Sequence, residues 1–262
     1  MLHPHLWFDA LFAFFVFCVL SGCTYIINDA FDAKKDSLHP IKRKRPIASG
    51  RLKPKHALIC SIPLAIITIL LSFYVDVRFA LIALLYFSIT LAYNFWLKRM
   101  YLVDVLTIST GMVLRAVAGC VIIDVMISPW LILCTFLMAL YLALAKRRHE
   151  ILLLNGKAND HRSILQFYSV TSLDMYINAS LSALVVSYCL YTFFSNHLFM
   201  MLTIAFALYG IFRYNDHIYN EKIGGEAELI FKDAGLIIDM VLWLVIIVIV
   251  LLNIPETLIS LI

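Results

Sequence analysis

The chain has 262 residues, of which 63% are hydrophobic and only 15% charged, with a formal net charge of +4. A soluble globular domain is roughly half apolar and a quarter charged, so a water-soluble fold is excluded. The apolar residues gather into runs of about 20 separated by polar stretches, the pattern of a polytopic membrane protein.

In chain order, eight spans are expected near residues 6–27, 57–75, 79–97, 102–123, 127–145, 172–194, 197–213 and 234–254. The runs are apolar all round rather than alternating, and in lipid only a helix then satisfies its own backbone. The predicted fold is all-α: one transmembrane bundle over residues 1–262, with cytoplasmic loops at 28–55, 146–165 and 213–233. No cleavable signal peptide is expected, because no basic region precedes the first run. Cys18, Cys23, Cys60, Cys120, Cys134 and Cys189 each stand alone in apolar surroundings, with no metal or redox spacing.

Eight crossings assign the connections alternately to two faces. Segments 28–55, 98–101, 146–165 and 213–233 hold 9, 2, 5 and 3 Lys+Arg, whereas the opposite connections hold only Arg78. The positive-inside rule makes the basic face cytoplasmic and leaves both termini outside. Anionic lipid headgroups or phosphorylated substrates suit such a face better than nucleic acid, which is not expected as a partner. The sequence does not specify an oligomeric state.

The first span runs into Asn28-Asp29-Ala30-Phe31-Asp32-Ala33-Lys34-Lys35-Asp36. On a continuing helix Asp29, Asp32 and Asp36 fall at i, i+3 and i+7, with Asn28 four before Asp32, so all four share a stripe. Oxygen ligands with open water positions suit Mg²⁺ together with substrate phosphates. The plainer alternative is a solvated helix end whose acids pair with Lys34 and Lys35. His39-Pro40 and the cations Lys42-Arg43-Lys44-Arg45 follow, then Pro46 to Gly50 and Arg51; an ordered loop there would aim guanidinium forks at phosphate oxygens.

The stretch from Asn28 to Gly50 resembles the first signature of the UbiA superfamily of intramembrane prenyltransferases. The resemblance implies that fold, with nine helices and the acidic motif ending the second, so that the family's first helix is expected to be absent here. Ordinary members carry a second aspartate-rich motif four helices later. Here that loop reads Ala145-Lys146-Arg147-Arg148-His149-Glu150 and continues through Asn155-Gly156-Lys157. This pattern resembles the decaprenyl-phosphate phosphoribosyltransferase branch. Tyr93-Asn94-Phe95-Trp96-Leu97-Lys98 with Asp104, Leu114 to Gly119, Tyr168 to Leu173, and Arg213-Tyr214 with Gly224 to Glu228 resemble its further landmarks.

The resemblance implies Mg²⁺-dependent transfer of a 5-phosphoribosyl group from phosphoribosyl pyrophosphate to a polyprenyl phosphate, a step in cell-wall biosynthesis at the plasma membrane. Asn28, Asp29, Asp32 and Asp36 are the implied catalytic set, with Asp29, Asp32 and Asp36 on the metal. Lys42, Arg43, Arg45, Arg51, Lys98, Arg115, Lys146, Arg147, Arg148 and Glu150 are the implied phosphate-binding set. The residues themselves leave bland options open: Lys146 with Glu150 as an i,i+4 pair, and Arg147 snorkelling to the interface. Asp104 and Arg115, three turns apart, are expected to point inward, and Asp174 and Asp239 to favour helix amino ends. Tyr93 and Tyr141 read as interfacial aromatics. Two other functions remain: a prenyltransferase acting on an aromatic or other acceptor, for which Glu150 and the distant Asp160 are a poor second acid pair, and a non-catalytic lipid-binding or transport protein.

Overall fold

The computed structural model describes residues 4–38, 42–154, 163–195, 197–220 and 233–252. These contain eight helices of 18 residues or more: α1 (Pro4–Asp36), α2 (Pro54–Val75), α3 (Val77–Phe95), α4 (Val103–Ile122), α5 (Pro129–Leu154), α6 (Val170–Phe193), α7 (Thr203–Asn220) and α8 (Ala234–Leu251). Short 3₁₀ turns stand at Lys42–Lys44, Leu97–Arg99, Ser163–Phe167 and Leu198–Leu202. There is no strand among the described residues.

Seven of the eight helices are long and apolar enough to cross a bilayer, and the chain is an integral multi-pass membrane protein. The exception is α7. The expected span at 197–213 begins in a 3₁₀ turn, and the helix proper runs on through Arg213, Asn215, Asp216 and His217, too polar for the hydrocarbon core.

At 1.5 Å per residue the 33 residues of α1 span about 50 Å, well beyond a hydrocarbon core of about 30 Å. Its last turns, which carry the acidic stripe, therefore extend past the apolar layer. Pro54 opens α2 at a position where a missing N–H costs nothing. A single extended residue, Asp76, joins α2 to α3 and caps α3 by accepting a hydrogen bond from Phe79 N at 2.8 Å.

The chain divides into two compact units, residues 1–132 with 159–164, and residues 133–158 with 165–262. In the first, α1 to α4 pack on one another. Phe17, Leu20, Cys23, Phe79 and Tyr86 fill the interior. The small residues Ala13, Ala65, Ala80, Ala83 and Ala118 are buried beside them and let the helix backbones approach closely, which lipid-embedded packing requires. In the second unit α6, α7 and α8 pack around the Leu198–Leu202 turn, where the Tyr188 hydroxyl bonds Thr203 Oγ1 at 2.7 Å and accepts from Trp243 Nε1 at 2.9 Å.

Candidate functional site: two ion-paired clusters

The first cluster lies in the first unit. Because α1 continues unbroken to Asp36, the acids share a face as the spacing predicts. The 42–50 segment folds back beside them, held by Ser49 N to Arg45 O at 2.8 Å, Gly50 N to Ile47 O at 3.1 Å and a buried Ile47. Gly50 has φ +80°, the left-handed conformation that glycine adopts without strain. This fold-back delivers Arg45, whose Nη1 donates to Asp29 Oδ1 at 2.6 Å and to Asp36 Oδ2 at 2.9 Å. Lys98, in the turn after α3, donates to Asp32 Oδ2 at 2.5 Å and to Asn28 Oδ1 at 3.0 Å. All four oxygen-bearing residues of the acidic motif are thus engaged by two cations. Asp36 is buried, and Asp29 and Asp32 are half-buried.

Farther along the same unit, Arg115 Nη2 donates to the Tyr86 hydroxyl at 2.5 Å and to Ser21 Oγ at 3.0 Å, with its guanidinium 5.0 Å from the Tyr86 ring centre. Ser21 and Tyr86 also bond each other at 2.9 Å. Asp104 is fully buried, as expected of a charged group inside the bundle. Lys42 is half-buried, Arg43, Lys44 and Arg51 are exposed, and Arg51 is tied to its own loop through Lys44 O at 3.0 Å and Ser49 Oγ at 3.2 Å.

The second cluster lies in the second unit, on the last turns of α5. Arg147 is only 2% exposed and donates to Glu150 Oε2 at 2.7 Å. It does not snorkel, and Glu150 takes Arg147 three residues back, not Lys146. Lys146 itself is exposed. Arg148 Nε donates to Asp174 Oδ1 at 2.6 Å, and its guanidinium lies 4.3 Å over the ring of Tyr219, whose hydroxyl donates to the same oxygen at 3.0 Å. Tyr141 is 1% exposed, and its hydroxyl donates to Asn215 Oδ1 at 3.0 Å, so it is an internal group and not an interfacial one.

Sequence reasoning missed Tyr219, and it assigned Asp174 to a helix-end preference when its partner is Arg148. The available signal was the cost of leaving Arg148 unpaired at a membrane helix end. It named Arg213 as a landmark but missed its partners: Asp233 accepts both Arg213 Nε at 2.8 Å and Nη2 at 2.9 Å, bonds His217 Nε2, and caps α8 through Gly235 N at 2.7 Å. The two Arg213 bonds foremost, then His217, hold the Asp233 carboxyl well below the usual carboxylate range. His39, Asp160 and Gly224 to Glu228 lie outside the described residues.

Three carboxylates and an amide are hard oxygen donors and suit Mg²⁺ in kind. Among the described residues, however, no three His, Cys, Asp or Glu side chains are gathered as a metal site; the acids are spread along the stripe with Arg45 and Lys98 against them.

The model of the UbiA prenyltransferase family matches residues 2–231. The chain belongs to that family. A UbiA homolog from Archaeoglobus fulgidus, solved with GPP and Mg²⁺, superposes with a TM-score of 0.73 at 17% identity, over 91% of this chain and 86% of that one, which establishes the shared UbiA fold. Among curated UbiA relatives, the decaprenyl-phosphate phosphoribosyltransferase of Mycolicibacterium smegmatis is 34% identical over 181 residues, 69% of this chain. The one from Mycobacterium tuberculosis is 28% identical over 236 residues, 88% of this chain and 78% of its own. The chain spans 57% of the length of the M. smegmatis relative.

Proposed function

We propose that this UbiA protein transfers a 5-phosphoribosyl group from phosphoribosyl pyrophosphate to a polyprenyl phosphate. The observation that carries the reading is on α5: where ordinary members of the superfamily place a second acid pair, this chain places Arg147 and Arg148, with Glu150 neutralising Arg147. Cationic side chains there suit a sugar phosphate and not a second metal. The names of the mycobacterial relatives support the same assignment.

In this reaction an acceptor phosphate oxygen attacks C1 of the ribose, the C1–O bond to diphosphate breaks, and diphosphate leaves with the electron pair. The acceptor is already an anion near neutral pH, so no strong general base is required. The main task is to stabilise charge building on the leaving group. Asp29, Asp32 and Asp36, with Asn28, would hold Mg²⁺, which when bound neutralises that charge. In the first unit, Lys98 and Arg45 take the diphosphate and the exposed Arg43 and Arg51 the acceptor phosphate; in the second, Arg147 and Arg148 suit a sugar phosphate. The charged ends face the cytoplasm, in line with the basic loops.

Membranes containing the protein, given radiolabelled phosphoribosyl pyrophosphate and polyprenyl phosphate, should form a labelled lipid only with Mg²⁺, and Asp29→Ala and Arg147→Ala should each abolish it. A prenyl-transfer reading draws on one observation, the GPP in the archaeal fold relative. It stands instead if prenyl diphosphate and an aromatic acid react while the ribosyl donor does not.

A further inference from the structure

We propose that Arg45 and Lys98 are exchange residues, which guard the acidic motif until a diphosphate arrives and then move onto its oxygens, so that divalent cation and diphosphate bind as one unit. The proposal rests on the assignment above of a metal–diphosphate site to the α1 stripe.

The geometry carries the argument. One guanidinium nitrogen bridges Asp29 and Asp36, two residues that sit seven apart on α1, at 2.6 and 2.9 Å. One ammonium bridges Asp32 and Asn28 at 2.5 and 3.0 Å. Three negative charges thus face two positive ones, leaving a single net negative charge to attract an incoming metal. A divalent cation entering alone must displace Arg45 or Lys98. Asp36 and Lys98 are among the less solvated members, with side chains 9% and 15% exposed, and a cation stripped of its carboxylate there loses far more than one in open water.

A diphosphate removes that penalty. It brings several anionic oxygens on which a guanidinium fork and an ammonium pair again, while the carboxylates they release turn to the metal. Each ligand therefore strengthens the other, and by linkage the coupling is reciprocal. The anchored 42–50 turn makes the exchange short-range: Arg45 is held at its backbone and changes partner through its side chain.

The test is equilibrium dialysis of the purified protein in nanodiscs against radioactive Mn²⁺, with and without inorganic diphosphate. For the unaltered chain, diphosphate should tighten Mn²⁺ retention by about tenfold or more, within the usual range of such couplings. Arg45→Gln and Lys98→Gln should each retain Mn²⁺ alone about tenfold more tightly than the unaltered chain, with the gain from diphosphate reduced to a few-fold at most. Asp29→Asn should weaken retention under both conditions. Unchanged or weaker Mn²⁺ retention in both glutamine variants, with the diphosphate gain intact, overturns the exchange and leaves the metal–diphosphate assignment standing. No retention by any form even with diphosphate overturns both.

Discussion

A guanidinium that is 98% removed from solvent survives only if its charge and hydrogen-bonding capacity are met inside the protein, and Arg147 meets part of that need through Glu150. Glu150→Ala should therefore destabilise the second unit by about 2 kcal/mol, less than a fully buried pair because Glu150 keeps some solvent contact. Denaturant unfolding in detergent measures this. Gly235 is a second sensitive position, since a Cβ there would stand 2.6 Å from Arg213 Cζ. Gly235→Ala should break the paired Arg213–Asp233 bonds and lower the melting temperature, whereas Ala234→Gly, one residue away, should change it little. Asp233 also gives a pH signature. Its folded carboxyl titrates below the unfolded value of about 3.9. Its stabilisation is therefore complete above that value and is lost as pH falls through the folded pKa. An Asp233→Asn variant should accordingly lose the part of the acid-induced destabilisation that this group contributes below about pH 4.

At the scale of elements, each cluster is carried on the carboxyl-terminal part of a long helix: α1 holds its acids in its last turns up to Asp36, and α5 holds Lys146 to Glu150 four residues before its end at Leu154. The i, i+3, i+7 acid spacing made the α1 stripe legible in the sequence, and the run of apolar residues made each long helix legible. What spacing cannot supply is the identity of partners distant in the chain. Arg45 folding back on Asp29, Lys98 reaching Asn28 across 70 residues, and Arg148 choosing Asp174 depend on how helices pack, and a periodic pattern carries no record of that. For the same reason the i,i+4 rule suggested Lys146 for Glu150, when burial of Arg147 decides the pairing. The polar second half of α7 was visible as composition, yet the apolar stretch before it outweighed the charges in a span count. The α2–α3 joint offers a direct check at this scale. Asp76 accepts from Phe79 N foremost and bonds Arg78, which depresses its carboxyl, and Arg78 also reaches Asp124 at 3.1 Å. Asp76→Ala should cost about 1 kcal/mol in unfolding free energy through loss of the cap, and Asp124→Ala less, because that pair is solvent-exposed.

At the scale of the whole molecule, the chain is a polytopic member of the UbiA family, and the positive-inside rule predicts that its most basic connection, residues 28–55 with nine Lys+Arg, lies in the cytoplasm. A Ser49→Cys variant should resist a membrane-impermeant maleimide in intact cells and react once the cells are opened; labelling of intact cells would reverse the orientation. Donor chemistry is decided by offering the purified, reconstituted protein phosphoribosyl pyrophosphate and geranylgeranyl diphosphate in parallel, each with Mg²⁺, polyprenyl phosphate and an aromatic acid present. Formation of a polyprenyl phosphoribose with release of diphosphate from the ribosyl donor alone is the expected result. Diphosphate release from the prenyl donor, with the ribosyl donor left intact, would contradict it.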